Sequence, residues 1–261
     1  MKKNIALLLG LILAGCAQMG GVGDSSSSSS VSASPVETES RARARAFTEL
    51  AGAYFSRGQM KIALDEVRKA VQADSSYGPA YNVLGLIYME LAEDAPAEEN
   101  FRKSVSLDRS DSEARNNYGW FLCTRGRYDE GLTQFSDALR NPLYAKPEQA
   151  LTNAALCHER KGDLKQAEAY FNKALKLQPD FGLAIIKLAD LHFRQGNLKE
   201  SQRLLARHQA VLPPTAESLW LGVRIERRLG DRNQEAAYNL QLRKRFPDSP
   251  EAQLLARGQY E

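Results

Sequence analysis

Five glycines, Gly58, Gly126, Gly162, Gly196 and Gly230, each separate two apolar-periodic stretches, and Ala92 fills the slot between the first two, at spacings of 34, 34, 36, 34 and 34 residues. That regularity constrains the chain more than any other feature. Each period holds two short amphipathic segments around a small turn residue, and a hairpin of that size cannot bury its apolar face alone. Neighbouring hairpins must therefore stack, so the periodic part of the 261-residue chain forms an array rather than one or two globular domains around single cores.

The residues within each period sharpen the reading. The second carries Tyr81, Leu84, Gly85, Tyr88, Ala97 and Phe101, and the fourth Ala154, Ala155, Ala167, Phe171, Ala174 and Pro179. The first, third and fifth add Phe47, Leu50, Tyr54, Ala63 and Ala70; Tyr118, Gly119, Phe135 and Ala138; and Ile185, Leu188, Ala189 and Pro213. This pattern resembles the tetratricopeptide repeat, with small residues where two helices approach closely and large ones between hairpins. The resemblance implies an all-α, right-handed superhelix of six helix-turn-helix repeats, at about 44–77, 78–111, 112–147, 148–181, 182–215 and 216–249. The sixth departs from the pattern at Val223, Glu226, Glu235 and Asn239, as expected either of a terminal cap whose outer side meets water or of a loosely packed sixth hairpin. The two extra residues of the 36-residue spacing fall in Asn141-Pro142-Leu143-Tyr144-Ala145-Lys146-Pro147.

The N-terminus belongs to a different problem. Lys2 and Lys3 precede an apolar stretch from Ile5 to Leu13, the layout of a secretory signal, and it is shorter than the roughly 20 apolar residues that span a bilayer. The ending Leu13-Ala14-Gly15-Cys16 resembles the bacterial lipobox, which implies cleavage before Cys16 and acylation of that residue; an ordinary signal peptide with a chance cysteine is the other reading. Three acyl chains would make attachment effectively permanent, since each buried CH₂ adds about 0.8 kcal/mol. Ala17 stands where an aspartate would resemble an inner-membrane retention signal, so the expected site is the outer membrane, lipid-anchored, with the domain facing the periplasm. Residues 1–15 are thus expected to be a lipoprotein signal peptide, 16–40 a flexible tether rich in serine and glycine, and 41–261 the repeat domain. With the run Ser25 to Ser30 the tether cannot offset its chain entropy by burial, and a coil of about 24 residues reaches roughly 25–30 Å.

Stacked hairpins line a concave groove with the first helix of each repeat, where such solenoids hold a peptide or a partner helix. The inward positions are expected to include Phe55, Asn82, Leu86, Met89, Asn116, Trp120, Ile186, Phe193 and Trp220. An aromatic and aliphatic lining with isolated asparagines suits an apolar segment whose backbone bonds the amides; some of these residues belong to the core instead if the register is displaced by one. Cys123 and Cys157 lie late in the first helices of adjacent repeats. They either form a disulfide, which by chain entropy would add roughly 3–4 kcal/mol, or pack as two buried thiols.

Catalysis finds little support. His158, His192 and His208 read as core substitutions rather than metal ligands, because equivalent positions on stacked helices lie about 10 Å apart. No phosphate loop, nucleophile elbow or HExxH motif is present, so no cofactor, metal, nucleic acid or small-molecule substrate is expected. The formal charge of +3 falls to about +1 without Lys2 and Lys3, which argues against a general nucleic-acid binder. The clusters Arg41, Arg43, Arg45 and Arg224, Arg227, Arg228, Arg232, Arg243, Lys244, Arg245 either meet an acidic partner or headgroups, or are solvated helix faces.

The run Asn116-Asn117-Tyr118-Gly119-Trp120-Phe121-Leu122-Cys123, with Gly126-Arg127-Tyr128, Asn141-Pro142-Leu143-Tyr144 and Asn153-Ala154-Ala155-Leu156-Cys157, is similar to the type IV pilus biogenesis lipoprotein family PilF/PilW. Trp120 departs from that run, where the family's residue is expected to be smaller, such as threonine. The resemblance implies an outer-membrane pilotin that binds the secretin PilQ and promotes its localisation and multimer assembly; the chain itself is expected to be a monomer. It also implies that Cys123 and Cys157 are joined. The alternatives are a repeat lipoprotein serving β-barrel assembly or a peptidoglycan synthase and, more remotely, an envelope hydrolase.

Overall fold

The computed structural model describes residues 37–260; the expected signal peptide, Cys16 and the tether as far as residue 36 lie outside the described residues. These fold into thirteen α-helices and no strands: α1 (Glu39–Ser56), α2 (Met60–Ala73), α3 (Gly78–Glu90), α4 (Asp94–Leu107), α5 (Ser112–Thr124), α6 (Tyr128–Leu139), α7 (Pro147–Lys161), α8 (Leu164–Leu177), α9 (Gly182–Arg194), α10 (Leu198–Val211), α11 (Ala216–Leu229), α12 (Arg232–Arg245) and α13 (Pro250–Arg257). Helices α1 to α12 pair into six antiparallel hairpins, each packed on the next. The fold is the all-α tetratricopeptide-repeat solenoid. α1 begins two residues before the expected start of the repeat domain at residue 41, because the Thr38 hydroxyl accepts from the Arg41 amide and caps the helix at Glu39.

Glycine at the hairpin turns has a direct cause. Gly58, Gly126, Gly162, Gly196 and Gly230 all hold φ between 71° and 89°, the left-handed region that ends a helix without a Cβ penalty. Close approach explains the other invariant of the pattern. A Cβ on Gly85 would lie 2.7 Å from the Phe101 ring, and one on Gly119 would lie 2.9 Å from the Phe135 ring, so in the second and third repeats the aromatic of the second helix sits on bare backbone of the first.

The sixth repeat makes the same contact one residue early on both helices. A Cβ on Gly222 would lie 2.9 Å from the Tyr238 ring, and this pair replaces the Val223 and Asn239 pair that strict spacing selects. The expectation of a water-facing end to the sixth repeat is corrected by the chain that follows it. Beyond α12 the chain forms α13, with the Ser249 hydroxyl accepting from the Ala252 amide and Pro250 opening the helix. Leu255 and Ala252 of α13 bury Leu219, Trp220 and Leu242, so α13 and not α12 closes the stack.

Between the third and fourth hairpins the two extra residues are accommodated by a tied loop. The Asn141 side chain accepts from the Leu143 amide at 2.9 Å and donates to the Ser110 carbonyl at 3.3 Å. Pro147 then starts α7, a position where a proline loses no helical hydrogen bond.

Candidate partner-binding groove

The first helices α5, α7 and α9 line a cavity of about 640 Å³ that includes Asn116, Asn117, Trp120, Gln149, Asn153, Leu156, Arg160 and Lys187. Of the expected groove residues, Asn116 and Trp120 face it. Its polar floor is a continuous chain of amides. Asn117 donates to Asn82 (3.2 Å), Asn116 to Asn117 (3.3 Å), Asn153 to Asn116 (3.0 Å) and Gln149 to Asn153 (3.2 Å). The sequence reading assigned isolated asparagines to a partner's backbone. Instead, buried amides must find partners, and here they stitch α3, α5 and α7 together, with Asn82 and Asn116 almost wholly buried.

The remaining expected positions separate by depth. Phe55, Leu86 and Met89 are half-buried at the N-terminal end, packed against the first two hairpin cores. Ile186, 4% exposed, is a core residue between the fourth and fifth repeats. Trp220, 6% exposed, is covered by the Tyr260 ring with centroids 5.7 Å apart. Both are removed from the groove, Ile186 because its face of α9 turns towards the neighbouring hairpins, and Trp220 because the chain after α12 folds back over it. Phe193, 5% exposed, floors a second recess towards the C-terminal end.

The sequence reading missed Asn117, Gln149, Asn153, Arg160 and Lys187. Arg160 could have been found from its place one turn beyond Leu156 on the same helix face. Its guanidinium lies over the Trp120 ring, 5.0 Å from the centroid, so the unusual tryptophan supports a cation at the groove's edge. Lys187 is paired with Glu217 at 2.6 Å and Lys146 with Glu113 at 3.4 Å.

Behind Trp120, a disulfide joins Cys123 of α5 to Cys157 of α7, with Cα atoms 5.6 Å apart. The bridge packs with Phe135 and Ala154. Gly131 of α6 is required beside it, since a Cβ there would run into the Cys123 sulfur. The covalent tie thus crosses the interface next to the tied loop and holds the two helices that carry most of the cavity.

The histidines sit in packing positions. His192 and His208 are buried, and the His158 ring lies against Tyr170 with centroids 5.0 Å apart. Burial lowers the pKa of His158 and of His208, because desolvation disfavours the charged ring. Among the described residues no cluster of His, Cys, Asp and Glu could hold a metal ion, and no helix is long and apolar enough to cross a membrane. The basic clusters divide. Arg41 pairs with Asp74 and Arg45 with Glu37, Arg243, Lys244 and Arg245 are exposed on α12, and Arg224, Arg227 and Arg228 turn to the second recess.

Comparison with known proteins matches this architecture. Models of the tetratricopeptide repeat match residues 78–111, 123–180 and 160–219. The type IV pilus assembly protein PilF of Pseudomonas aeruginosa is 29% identical over 208 residues, 80% of this chain and 82% of its own length. A solved structure of PilF from that organism aligns with a TM-score of 0.72 at 27% identity, covering 85% of this chain and all of that one. The crystal structure of PilW, a widely conserved type IV pilus biogenesis factor, aligns with a TM-score of 0.74 at 32% identity over 82% of this chain and 98% of that one. By repeat architecture, by sequence and by near-complete structural overlap, the chain belongs to the PilF/PilW family of type IV pilus biogenesis proteins.

Proposed function

We propose that this chain is an outer-membrane pilotin that binds the secretin PilQ and promotes its localisation and multimer assembly. The observation that carries the reading is its likeness to PilW over 98% of that chain's length, with a groove along the first helices as the docking surface. In this reading Cys16 is the acylated residue, and the fatty chains commit the carrier to one leaflet. The solenoid then holds a secretin segment, so that subunits meet in the lipid and not in the periplasm. Anchoring raises the partner's local concentration at the membrane without requiring tight binding. The work asked of the protein is binding and positioning, with no covalent step.

Replacing Cys16 with Ser tests the anchor. The expected outcome is a folded solenoid in the soluble periplasmic fraction, with fewer detergent-resistant PilQ multimers and weaker twitching; normal multimers and twitching would remove the anchor from the mechanism. Capture of detergent-solubilised PilQ by the purified protein distinguishes a pilotin from a scaffold for β-barrel assembly or peptidoglycan synthesis.

A further inference from the structure

Helices α7, α9 and α11 each carry an arginine at the same place in the repeat, Arg160, Arg194 and Arg228, 34 residues apart. That spacing sets them along one edge of the groove, at the roughly 10 Å separation of stacked helices. Arg224 and Arg227 of α11 join the row, and with Phe193, Arg194, Arg228 and Tyr260 they enclose a recess of about 420 Å³. We infer that this C-terminal half of the groove is a docking site for an acidic segment of a protein partner.

The arginines are arranged for carboxylates. Arg224 and Arg228 lie over the Phe193 ring, 4.3 and 5.0 Å from its centroid, Arg227 lies 3.9 Å from that of Tyr260, and Arg160 covers Trp120. A guanidinium stacked on a ring keeps its N–H edges in plane and free to grip a carboxylate through two bonds. The protein's own acids do not use up this charge. Asp190 is shared by Arg194 and Arg224, Glu159 pairs with Arg194, and Glu235 pairs with Arg227. Arg228 donates only to the Phe193 carbonyl, at 3.4 Å, and the buried Nε of Arg224 has no acceptor among the described residues. A cation in the last turn of a helix favours the helix dipole, which accounts for Arg227 and Arg228 on α11 but not for Arg224, a turn further in, or for the aromatic seats.

The shape selects the partner. The Arg224 side chain is only 15% exposed, recessed beyond the reach of a flat layer of headgroups, whereas an extended peptide can enter a concave edge. The inference rests on the groove being the docking surface, and its peptide titration needs no secretin. A fluorescein-labelled decapeptide alternating glutamate and alanine is titrated against the detergent-solubilised full chain, alongside the same peptide with glutamine for glutamate. The glutamate peptide is expected to bind, and Arg160→Gln with Arg228→Gln to weaken it at least about tenfold, since one charge-assisted bond is worth that much. Arg243→Gln, on an exposed face of α12, should leave binding unchanged. Equal binding of the two peptides, wild-type binding by the double variant, or preferential capture of phosphatidylglycerol vesicles through the same arginines would overturn the inference. Failure with the peptide alongside intact capture of PilQ would remove this site alone; peptide binding without PilQ capture would instead remove the pilotin reading.

Discussion

Ala92 makes the hairpin turn that glycine makes in the other five repeats, at φ 58°. It is the one non-glycine residue at positive φ among the described residues. The turn is bonded like its equivalents, with the Glu93 amide donating to the Tyr88 carbonyl at 2.9 Å, so the backbone is held there by the hairpin and not by the residue. A left-handed alanine costs about 1–2 kcal/mol, part of which is offset by its smaller freedom in the unfolded chain. Ala92→Gly is expected to stabilise the protein by about 1 kcal/mol in thermal or denaturant unfolding; a lower midpoint would show that the turn carries no such strain. The position was readable from spacing alone. The asparagine ladder was not, because whether Asn116 meets a ligand or Asn153 depends on the rotation of one helix against the next.

At the scale of elements, α13 is the clearest addition to the sequence reading. Its signals are present in Ser249 and Pro250, a capping residue followed by a favoured first position. An eight-residue helix outside the repeat, however, has no counterpart to be compared with. Its function is burial: Leu255 and Tyr260 cover Trp220 and Leu219. Ending the chain after Asp248 should re-expose those side chains. At roughly 1.5–3 kcal/mol for each large side chain returned to water, the expected loss is about 3 kcal/mol or more, with new binding of a hydrophobic dye. An unchanged melting curve would show that α12 closes the stack by itself. The slipped Gly222–Tyr238 contact escaped the sequence reading for a related reason, since strict spacing points to Val223 and Asn239 and only packing reveals the shift.

For the whole molecule, stability is a sum of hairpins and of the interfaces between neighbours. The interface between the third and fourth repeats interrupts the regular spacing with its loop, yet it carries the Cys123–Cys157 bridge and the Asn153–Asn116 bond. Cross-linking a loop of this size removes unfolded-state entropy worth about 3–4 kcal/mol. A double Cys123→Ser, Cys157→Ser variant, or the reduced protein, is expected to lose a comparable amount. Its single unfolding transition should also separate into two, one for each side of that interface; a single transition at the original midpoint would show that packing alone couples the halves.

The repeat number, the all-α class and the turn positions follow from the sequence by itself, because a 34-residue period of small and large residues admits only stacked hairpins. Which side chains face the groove was decided by tertiary structure. Ile186 and Trp220 are apolar residues on first helices just as Trp120 is, and they are buried only because neighbouring hairpins and a returning chain end cover them. Local pattern sets which faces are apolar; the rotation and closure of the stack set which of those faces remain open.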